Sequence, residues 1–350
     1  MSIFYKLPVK EVTRETPKAI SIVFDIPENL KNEFQFVPGQ YITIQKELNG
    51  AAMRRAYSIC SSIDSGELRI AVKEVEKGMF SIFANRKLKV GDVLEVAAPE
   101  GRFVLPISSN HKKNYMAFAA GSGITPILSM ITSVLESEPN SKFVLVYGNK
   151  SSDEAIFKKQ IDALQSAHAH RLEVHYVYSQ KLSDKALFGR IDSNVFNEII
   201  KHKYKQTKFD DFFLCGPEKM IELVRKGLHK QGVLEEAIHF ELFTVTSAKK
   251  EIKTDLSGNT KITIVLDEEE ASFEMRQDEL ILDVALVHGL DAPYSCQGGV
   301  CSSCLARVTE GRAIMEKNTI LTAEEVEEGL ILTCQAHPVS ATIKIDYDDV

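Results

Sequence analysis

With 350 residues the chain is two to three times the common domain size, which sets an expectation of two or three domains, each burying its own core. Hydrophobic residues at 44% and charged residues at 26%, with 19 glycines and 11 prolines, exclude fibrous and low-complexity character. A formal net charge of -7, from 42 basic and 49 acidic side chains, argues against a surface built for nucleic acid.

The charge is unevenly spread. Residues 262–350 hold 18 acidic and 5 basic side chains, net -13, whereas residues 1–261 hold 31 and 37, net +6. The first residues show no basic stretch followed by an apolar run and a small-residue cleavage site, so the expectation is a cytoplasmic chain. In that setting six cysteines point to metal ligands, catalytic groups or buried thiols rather than to a disulfide framework.

Residues 1–110 carry short β-branched runs at 20–24, 41–45, 67–75 and 93–97, separated by Pro, Gly and Asp, which is the rhythm of a small antiparallel β-barrel. Within it stand Arg55-Ala56-Tyr57-Ser58 and Gly78-Met79-Phe80-Ser81. An arginine such as Arg55 can pair with a phosphate, Tyr57 can lie along a flavin ring, and Ser58 can hydrogen-bond a ring nitrogen. The turn at Gly78 and Ser81 can cap a pyrophosphate. Taken singly, each of these residues is also compatible with an ordinary strand or turn, and that plainer reading is the one favoured for any of them alone. Cys60 reads as a core thiol.

Residues 111–243 alternate apolar strands (115–120, 143–147, 172–178, 211–215) with helices after Ile124, from Ala155 and after Pro217, the pattern of a parallel α/β sheet. Residues 115–135 run 21 positions without a charge, long enough by count to span a membrane. Gly121-Ser122-Gly123 and Pro126 divide that stretch into a buried strand and a helix, so no integral membrane segment is expected. Gly121, Gly123 and Thr125 open a helix directly after a strand, where backbone N–H groups can approach a pyrophosphate. The third glycine of the full fingerprint is missing, and a plain tight turn is the alternative. After Tyr147, Lys150 and Ser151 can hold a 2′-phosphate, and no carboxylate ends the strand to receive a ribose hydroxyl. This favours NADPH, with NADH and a simple capped helix start as the alternatives.

Residues 244–260 are polar and read as a linker. The last region, 261–350, shows strands at 261–266, 271–275 and 342–347, a helix at 281–288, and a cysteine-rich loop. Cys296, Cys301 and Cys304 form C-x4-C-x2-C, with Cys334 a further 30 positions on, the plant-type spacing for a [2Fe-2S] cluster. Gly298 and Gly299 let such a loop wrap closely and aim N–H groups at the sulfurs. Structural zinc is the rival, but it usually takes two separated C-x2-C pairs and only one is present. Acidic runs at 267–270 and 324–328 read as solvated faces, and as a surface that steers toward a basic acceptor.

In this order, a barrel with R-x-Y-S, an α/β unit with G-x-G-x-x-P and Cys215-Gly216-Pro217, and a cysteine loop resemble the ferredoxin-NADP reductase superfamily fused to a C-terminal plant-type ferredoxin, over essentially the whole chain. The resemblance is nearest to reductase components serving phenylacetyl-CoA epoxidases, with relatives serving steroid hydroxylases, ring-hydroxylating oxygenases and acyl desaturases. It implies an antiparallel β-barrel for FAD, a parallel α/β domain for NAD(P) and a C-terminal α+β β-grasp ferredoxin-like domain. It implies Arg55 on the flavin phosphates, Tyr57 against the ring system, Ser58 near its reactive nitrogen, and Gly78 and Ser81 on the pyrophosphate. Gly121, Gly123 and Thr125 would meet the nicotinamide dinucleotide, Cys215 and Gly216 would lie beside the nicotinamide, and Glu241 and Phe243 would come near the flavin. The implied activity is that of an NAD(P)H:acceptor oxidoreductase, with Ser58, Cys215 and Glu241 as its catalytic residues, passing electrons from NADPH through FAD and the cluster to a partner oxygenase or another one-electron acceptor protein. Read without the resemblance, the residues leave open a non-catalytic redox carrier, a zinc-stabilised interaction protein, and a merely buried strand-end thiol at Cys215.

Overall fold

The computed structural model describes residues 3–48, 50–181, 183, 186–244 and 256–350. It divides into two compact units, one spanning Tyr5–Thr244 and one formed mainly by Val245–Val350. Of the expected linker, residues 245–255 lie outside the described residues.

The β-branched runs of the first region form a six-stranded sheet of β1 (Phe4–Thr16), β2 (Ala19–Phe24), β3 (Tyr41–Leu48), β4 (Ala51–Ser58), β5 (Leu68–Lys73) and β6 (Val93–Ala97). Strand β2 is buried along its whole length and pairs antiparallel with both β1 and β5. The sheet order is β4-β3-β6-β1-β2-β5, and its two outer strands meet at the antiparallel bridge Ile59↔Ile70, where Cys60 N–H donates to Arg69 O at 2.8 Å. That bridge turns an open sheet into a barrel. Leu7, Ile22, Ile42, Ile44 and Val96 fill it, and α1 (Met79–Arg86) packs against β5.

The second region of the same unit is a parallel sheet of β7 (Asn114–Ala120), β8 (Lys142–Asn149), β9 (Leu172–Tyr178), β10 (Leu187–Phe188), β11 (Asp211–Pro217) and β12 (Ile238–Thr244), in the order β10-β9-β8-β7-β11-β12. Helix α2 (Ile124–Ser137) explains the long charge-free stretch. One side of it packs on β7, β8 and β11, while Ser129 Oγ donates to Ser61 O at 2.6 Å and Ser133 Oγ accepts from Ile63 N–H at 3.3 Å on the barrel. A helix covered on both sides is apolar nearly all round. Among the described residues no helix is long and apolar enough to cross a membrane.

Two local outcomes differ from the sequence-based expectation. Helix α3 spans Lys158–Ala167 and not from Ala155, because Ala155, Ile156 and Phe157 are buried and Phe157 turns at φ +60 before the helix can start. Residues 193–203, unassigned from sequence, form α4 (Ser193–Asn197) and a wider π-type turn at Glu198–Lys203. Asp192 caps α4 by accepting from the N–H groups of Asn194 and Val195 at 2.9 and 3.0 Å, and Phe196 packs on Phe118 with ring centroids 6.2 Å apart. Helix α5 (Glu218–His229) then follows β11.

In the C-terminal unit β13 (Asn259–Leu266) and β14 (Glu269–Arg276) form a hairpin whose turn residues Asp267 and Glu268 both have positive φ, with their N–H groups donating to the Asp348 carboxylate at 3.0 and 2.8 Å. The sheet continues through β19 (Thr342–Asp346), β15 (Leu305–Glu310) and β17 (Leu330–Leu332) in the order β14-β13-β19-β15-β17, with β13 and β19 parallel. Helix α6 (Ile281–Val287) buries Ile281, Leu282 and Ala285 against Ile262, Ile264, Ile343 and Ile345. A separate two-stranded antiparallel sheet pairs β16 (Ala313–Met315) with β18 (Ala336–Pro338), and α7 (Ala323–Glu327), which lies between them in the chain, starts at a Thr322–Glu325 capping box. This is the expected ferredoxin-like arrangement of a mixed sheet grasping one helix.

Candidate functional site

The chain enters the parallel sheet at β7, winds outward through β8 to β10, and returns to β11 on the other flank of β7. The strand order therefore reverses between β7 and β11, and open α/β sheets hold ligands in the crevice at the carboxyl ends of the strands beside such a reversal. The Gly121–Gly123 turn follows β7 and Cys215-Gly216 ends β11, so both sequence motifs flank that crevice. A Cβ on Gly123 would fall 2.2 Å from Cys215 O, so the two turns touch backbone to backbone and only glycine fits. Thr125 is buried, and its hydroxyl donates to Ser122 O at 3.0 Å, closing the turn from within. The Gly121 carbonyl accepts from Tyr147 Oη at 3.0 Å.

Neighbouring β11 and β12 place Cys215 directly opposite Glu241 in register. Ser58, at the end of β4, donates its Oγ proton to Glu241 Oε2 at 3.3 Å in a buried contact. The three residues expected to be catalytic are thus brought together from three strands of one unit. Burial, and after it the charge of Glu241, pushes the Cys215 thiol well above its ordinary range, so it is a protonated thiol at neutral pH and not a thiolate nucleophile. Phe243, two residues after Glu241 on β12, packs half-buried against the core that includes Cys215.

On the barrel, Arg55 is exposed on β4 with Nη1 donating to Arg54 O at 2.6 Å, and Tyr57 leans on Phe80 with ring centroids 5.5 Å apart. Gly78 precedes α1, and a Cβ there would meet Ser81 Oγ at 2.4 Å and Val75 Cγ2 at 2.5 Å. The Ser81 hydroxyl accepts from Val75 N–H at 3.2 Å and donates to Gly78 O at 3.1 Å, so it shapes the turn that leads into the helix. This tight, glycine-dependent turn, opening on a helix start and on the same barrel as Arg55 and Ser58, suits a diphosphate-bearing flavin. Lys150 is exposed and lies 4.0 Å from Glu154, and Ser151 is half-buried before a short turn.

The sequence reading missed Lys73. Its Nζ lies 3.6 Å from where a Cβ on Gly121 would stand, so the last residue of β5 sets an ammonium over the glycine turn. Burial lowers its pKa, with Lys150 and Lys18 adding to the effect and Glu154 opposing it. A basic residue ending a barrel strand was the one available signal, and nothing local ties that strand to a turn 48 positions later.

In the C-terminal unit the loop carrying Cys296, Cys301 and Cys304 bends through positive φ at Gln297 and Gly299, and Thr319 Oγ1 donates to Gly299 O at 2.6 Å to hold it. Cys334 comes from the short turn between β17 and β18. Hydrogen bonds from the Cys301 and Cys334 thiols, with the backbone N–H groups of Gly298 and Val300, hold Cys296 well below the usual thiol range, while Cys334 also contacts Cys304. Among the described residues no three His, Cys, Asp or Glu side chains gather tightly enough for a single ion. The thiol contacts run in a chain from Cys301 through Cys296 and Cys334 to Cys304, four sulfurs in the number and sequence spacing of a plant-type [2Fe-2S] ligand set. Ser295 Oγ, buried beside Cys296 with no hydrogen-bond partner among the described residues, is a donor of the kind a cluster sulfur would engage.

Comparison with known proteins follows the same three-part order. Residues 6–105 match the family model of the oxidoreductase FAD-binding domain, residues 118–226 that of the oxidoreductase NAD-binding domain, and residues 264–339 that of the 2Fe-2S iron-sulfur cluster binding domain. The chain is 36% identical to one of the subunits of the 1,2-phenylacetyl-CoA epoxidase of Escherichia coli (strain K12), covering 99% of each chain. It is 32% identical to the ferredoxin reductase component of 3-ketosteroid-9-alpha-monooxygenase from Rhodococcus rhodochrous, covering 97% of this chain and 96% of the relative. In fold it resembles phthalate dioxygenase reductase at a TM-score of 0.61 and 23% identity, over 98% of both chains.

Proposed function

Since the chain belongs to the family of FAD- and NAD(P)-binding oxidoreductases that carry a C-terminal 2Fe-2S domain and serve oxygenases, we propose how its own residues divide that work. Electrons pass from a reduced nicotinamide dinucleotide through FAD and a [2Fe-2S] cluster to an oxygenase. When bound, FAD supplies the conversion between the paired electrons of a nicotinamide and the single electrons of a cluster.

In this reading the FAD domain spans residues 1–110, the NAD(P) domain 111–243 and the ferredoxin domain 261–350, joined by a linker at 244–260. Arg55 and the Gly78–Ser81 turn hold the flavin phosphates, and Tyr57 lies against the ring system. Ser58 donates a hydrogen bond whose direction is fixed by Glu241, and this pair can pass a proton to or from a group bound at Ser58. Gly121, Gly123, Thr125 and Gly216 shape the crevice for the dinucleotide, and Lys73 adds positive charge at its phosphates. Cys215 and Phe243 exclude water beside the nicotinamide. Lys150 and Ser151 favour the 2′-phosphate of NADPH over NADH. Cys296, Cys301, Cys304 and Cys334 ligate the cluster. The acceptor is an oxygenase of the phenylacetyl-CoA epoxidase kind, as the 36% identity over the full length supports. All six cysteines are unpaired, which agrees with a cytoplasmic setting.

The observation that carries the reading is the convergence of Ser58, Cys215 and Glu241 at the reversal of strand order. An anaerobic visible spectrum of the purified protein, before and after stoichiometric NADPH and then NADH, tests it. Flavin bands over a broad iron-sulfur absorption, bleached preferentially by NADPH, are expected. A colourless protein that takes up neither flavin nor iron and sulfide would overturn the reading, and preferential bleaching by NADH would overturn the role of Lys150 and Ser151.

A further inference from the structure

Asn85, in the last turn of α1, is 8% exposed and engaged at both ends of its amide. Its Nδ2 donates to Val72 O on β5 at 3.0 Å and to Ser81 O in the first turn of α1 at 2.9 Å, while its Oδ1 accepts from Arg14 Nη1 at 2.8 Å. The second prong of the same guanidinium, Nη2, donates to the Asn85 main-chain carbonyl at 2.7 Å. An amide donates only from its nitrogen, so a guanidinium on the oxygen fixes which way the group faces and leaves both N–H bonds for the two carbonyls. Arg14 also sets a cation at the C-terminal end of α1, where helix carbonyls lack partners.

Strand pairing explains how residues 71 positions apart meet: Arg14 on β1, Ile20 on β2 and Val72 on β5 stand in one row across three antiparallel strands. Asn85 and Ser81 are one helical turn apart and so share a face of α1. Residues 74–78 form the loop that joins β5 to α1, with Lys77 in the left-handed region at φ +61. One buried amide therefore ties the entry of this loop, at Val72, to its exit, at Ser81. The Ser81 hydroxyl, bonded to Val75 N–H and Gly78 O, takes up the connection inside the loop. Arg86 also grips the loop, through Glu74 at 2.6 and 3.1 Å, but its side chain is largely exposed and water weakens that pair. The Asn85 bonds to Val72 and Ser81 are buried.

We propose that Asn85, oriented by Arg14, is a positioning residue that holds the loop before α1 in the shape that accepts a flavin diphosphate, and so favours FAD over FMN. The inference rests on the reading that the Gly78–Ser81 turn holds that diphosphate. Asn85 acts through the main chain at Val72 and Ser81, which sets where the turn between them presents its N–H groups. A loop already fixed in its binding shape loses less freedom when the ligand arrives. FMN carries one phosphate and no adenosine, so it draws little on a turn shaped for the longer group.

The test is flavin exchange on the full-length holoprotein. The parent, Asn85→Ala, Arg14→Ala and, as a reference, Gly78→Ala are each equilibrated with a mixture of FAD and FMN, and the bound flavins are separated and quantified. The measured quantity is the ratio of the two affinities, because a general loosening of the barrel weakens both flavins alike and leaves the ratio unchanged. The parent should hold FAD in preference. Asn85→Ala should lower the ratio of FAD to FMN by about tenfold or more, the scale of two lost buried hydrogen bonds. Arg14→Ala keeps the amide but frees it to turn, and should lower the ratio by a smaller factor. A parent-like ratio in Asn85→Ala overturns the proposal, and one in Arg14→Ala overturns the part given to Arg14. If Asn85→Ala fails to fold, Arg14→Ala, a change at an exposed side chain, decides alone. An unchanged ratio in Gly78→Ala, or a parent that takes FMN as readily as FAD, would instead overturn the reading of the turn as the diphosphate site, so the two failures are distinct.

Discussion

Ser58 and Glu241 stand 183 positions apart in the chain, yet the serine hydroxyl donates to Glu241 Oε2 at 3.3 Å in a buried contact between the barrel and the last strand of the parallel sheet. Ser58→Ala should keep its flavin, since no phosphate contact is removed, and should slow anaerobic nicotinamide-driven flavin reduction by about 100-fold. Glu241→Gln keeps the volume and one acceptor, so its loss should be smaller. Stopped-flow absorbance measures both, and parent-like rates in the two variants would remove the pair from the mechanism.

Gly123→Ala sets a methyl group against the Cys215 carbonyl, which cannot yield without moving β11. A loss of about 1–3 kcal/mol is expected from denaturant midpoints, along with weakened nicotinamide binding. Gly121→Ala is the control. Its φ of +57 penalises a side chain, but the nearest atom is the flexible Lys73 Nζ, so it should lose only about 1–2 kcal/mol.

Cys301→Ser separates the two redox units. Nicotinamide-dependent bleaching of the flavin should persist at the parent rate, while reduction of a one-electron protein acceptor should be abolished. Equal loss of both activities would contradict the order of transfer from the Tyr5–Thr244 unit to the cluster.

Alkaline stability follows from Cys60 and Cys215. Burial is the first cause of a raised pKa in each, against an ordinary thiol value of 9.0. Below that value both thiols are protonated in the folded and the unfolded chain, and the stability they contribute is complete. Above it the unfolded chain releases these protons and the folded one retains them, so unfolding becomes easier by about 1.4 kcal/mol per pH unit for each thiol. Denaturant midpoints should therefore fall steeply on the alkaline side. Replacing Cys60 with Ala should make that fall shallower, and an unchanged slope would contradict the account.

The cysteine spacing and the R-x-Y-S and G-S-G-I-T-P segments were readable because each is a local arrangement whose chemistry needs neighbours in sequence. The apolar stretch at 115–135 was readable as strand and helix, but why it holds no charge was not. That depends on α2 being covered by the sheet on one side and by Ser61 and Ile63 on the other. Lys73 over Gly121 and the register of Cys215 with Glu241 are products of tertiary pairing and leave no local trace. The start of α3 was misplaced because a helix pattern from Ala155 cannot show that Phe157 must turn at positive φ to bury its ring. The β16–β18 pairing escaped notice because three-residue strands have too little periodicity to stand out, and 20 residues separate the two in the chain.

The sheet margins bear on how the protein behaves when concentrated. An exposed strand edge invites a second chain to add on, and the usual outcome is aggregation. The bridge Ile59↔Ile70 leaves the barrel no margin, and β10, at one side of the parallel sheet, is only two residues long. In the C-terminal unit the outer strand β14 carries exposed Glu269, Glu270 and Glu274, so a second copy laid alongside would meet like charges at close range. The acidic run at 267–270 thus also acts as a guard against self-association. Neutralising it by Glu-to-Gln exchange would leave a strand whose backbone is free to recruit another.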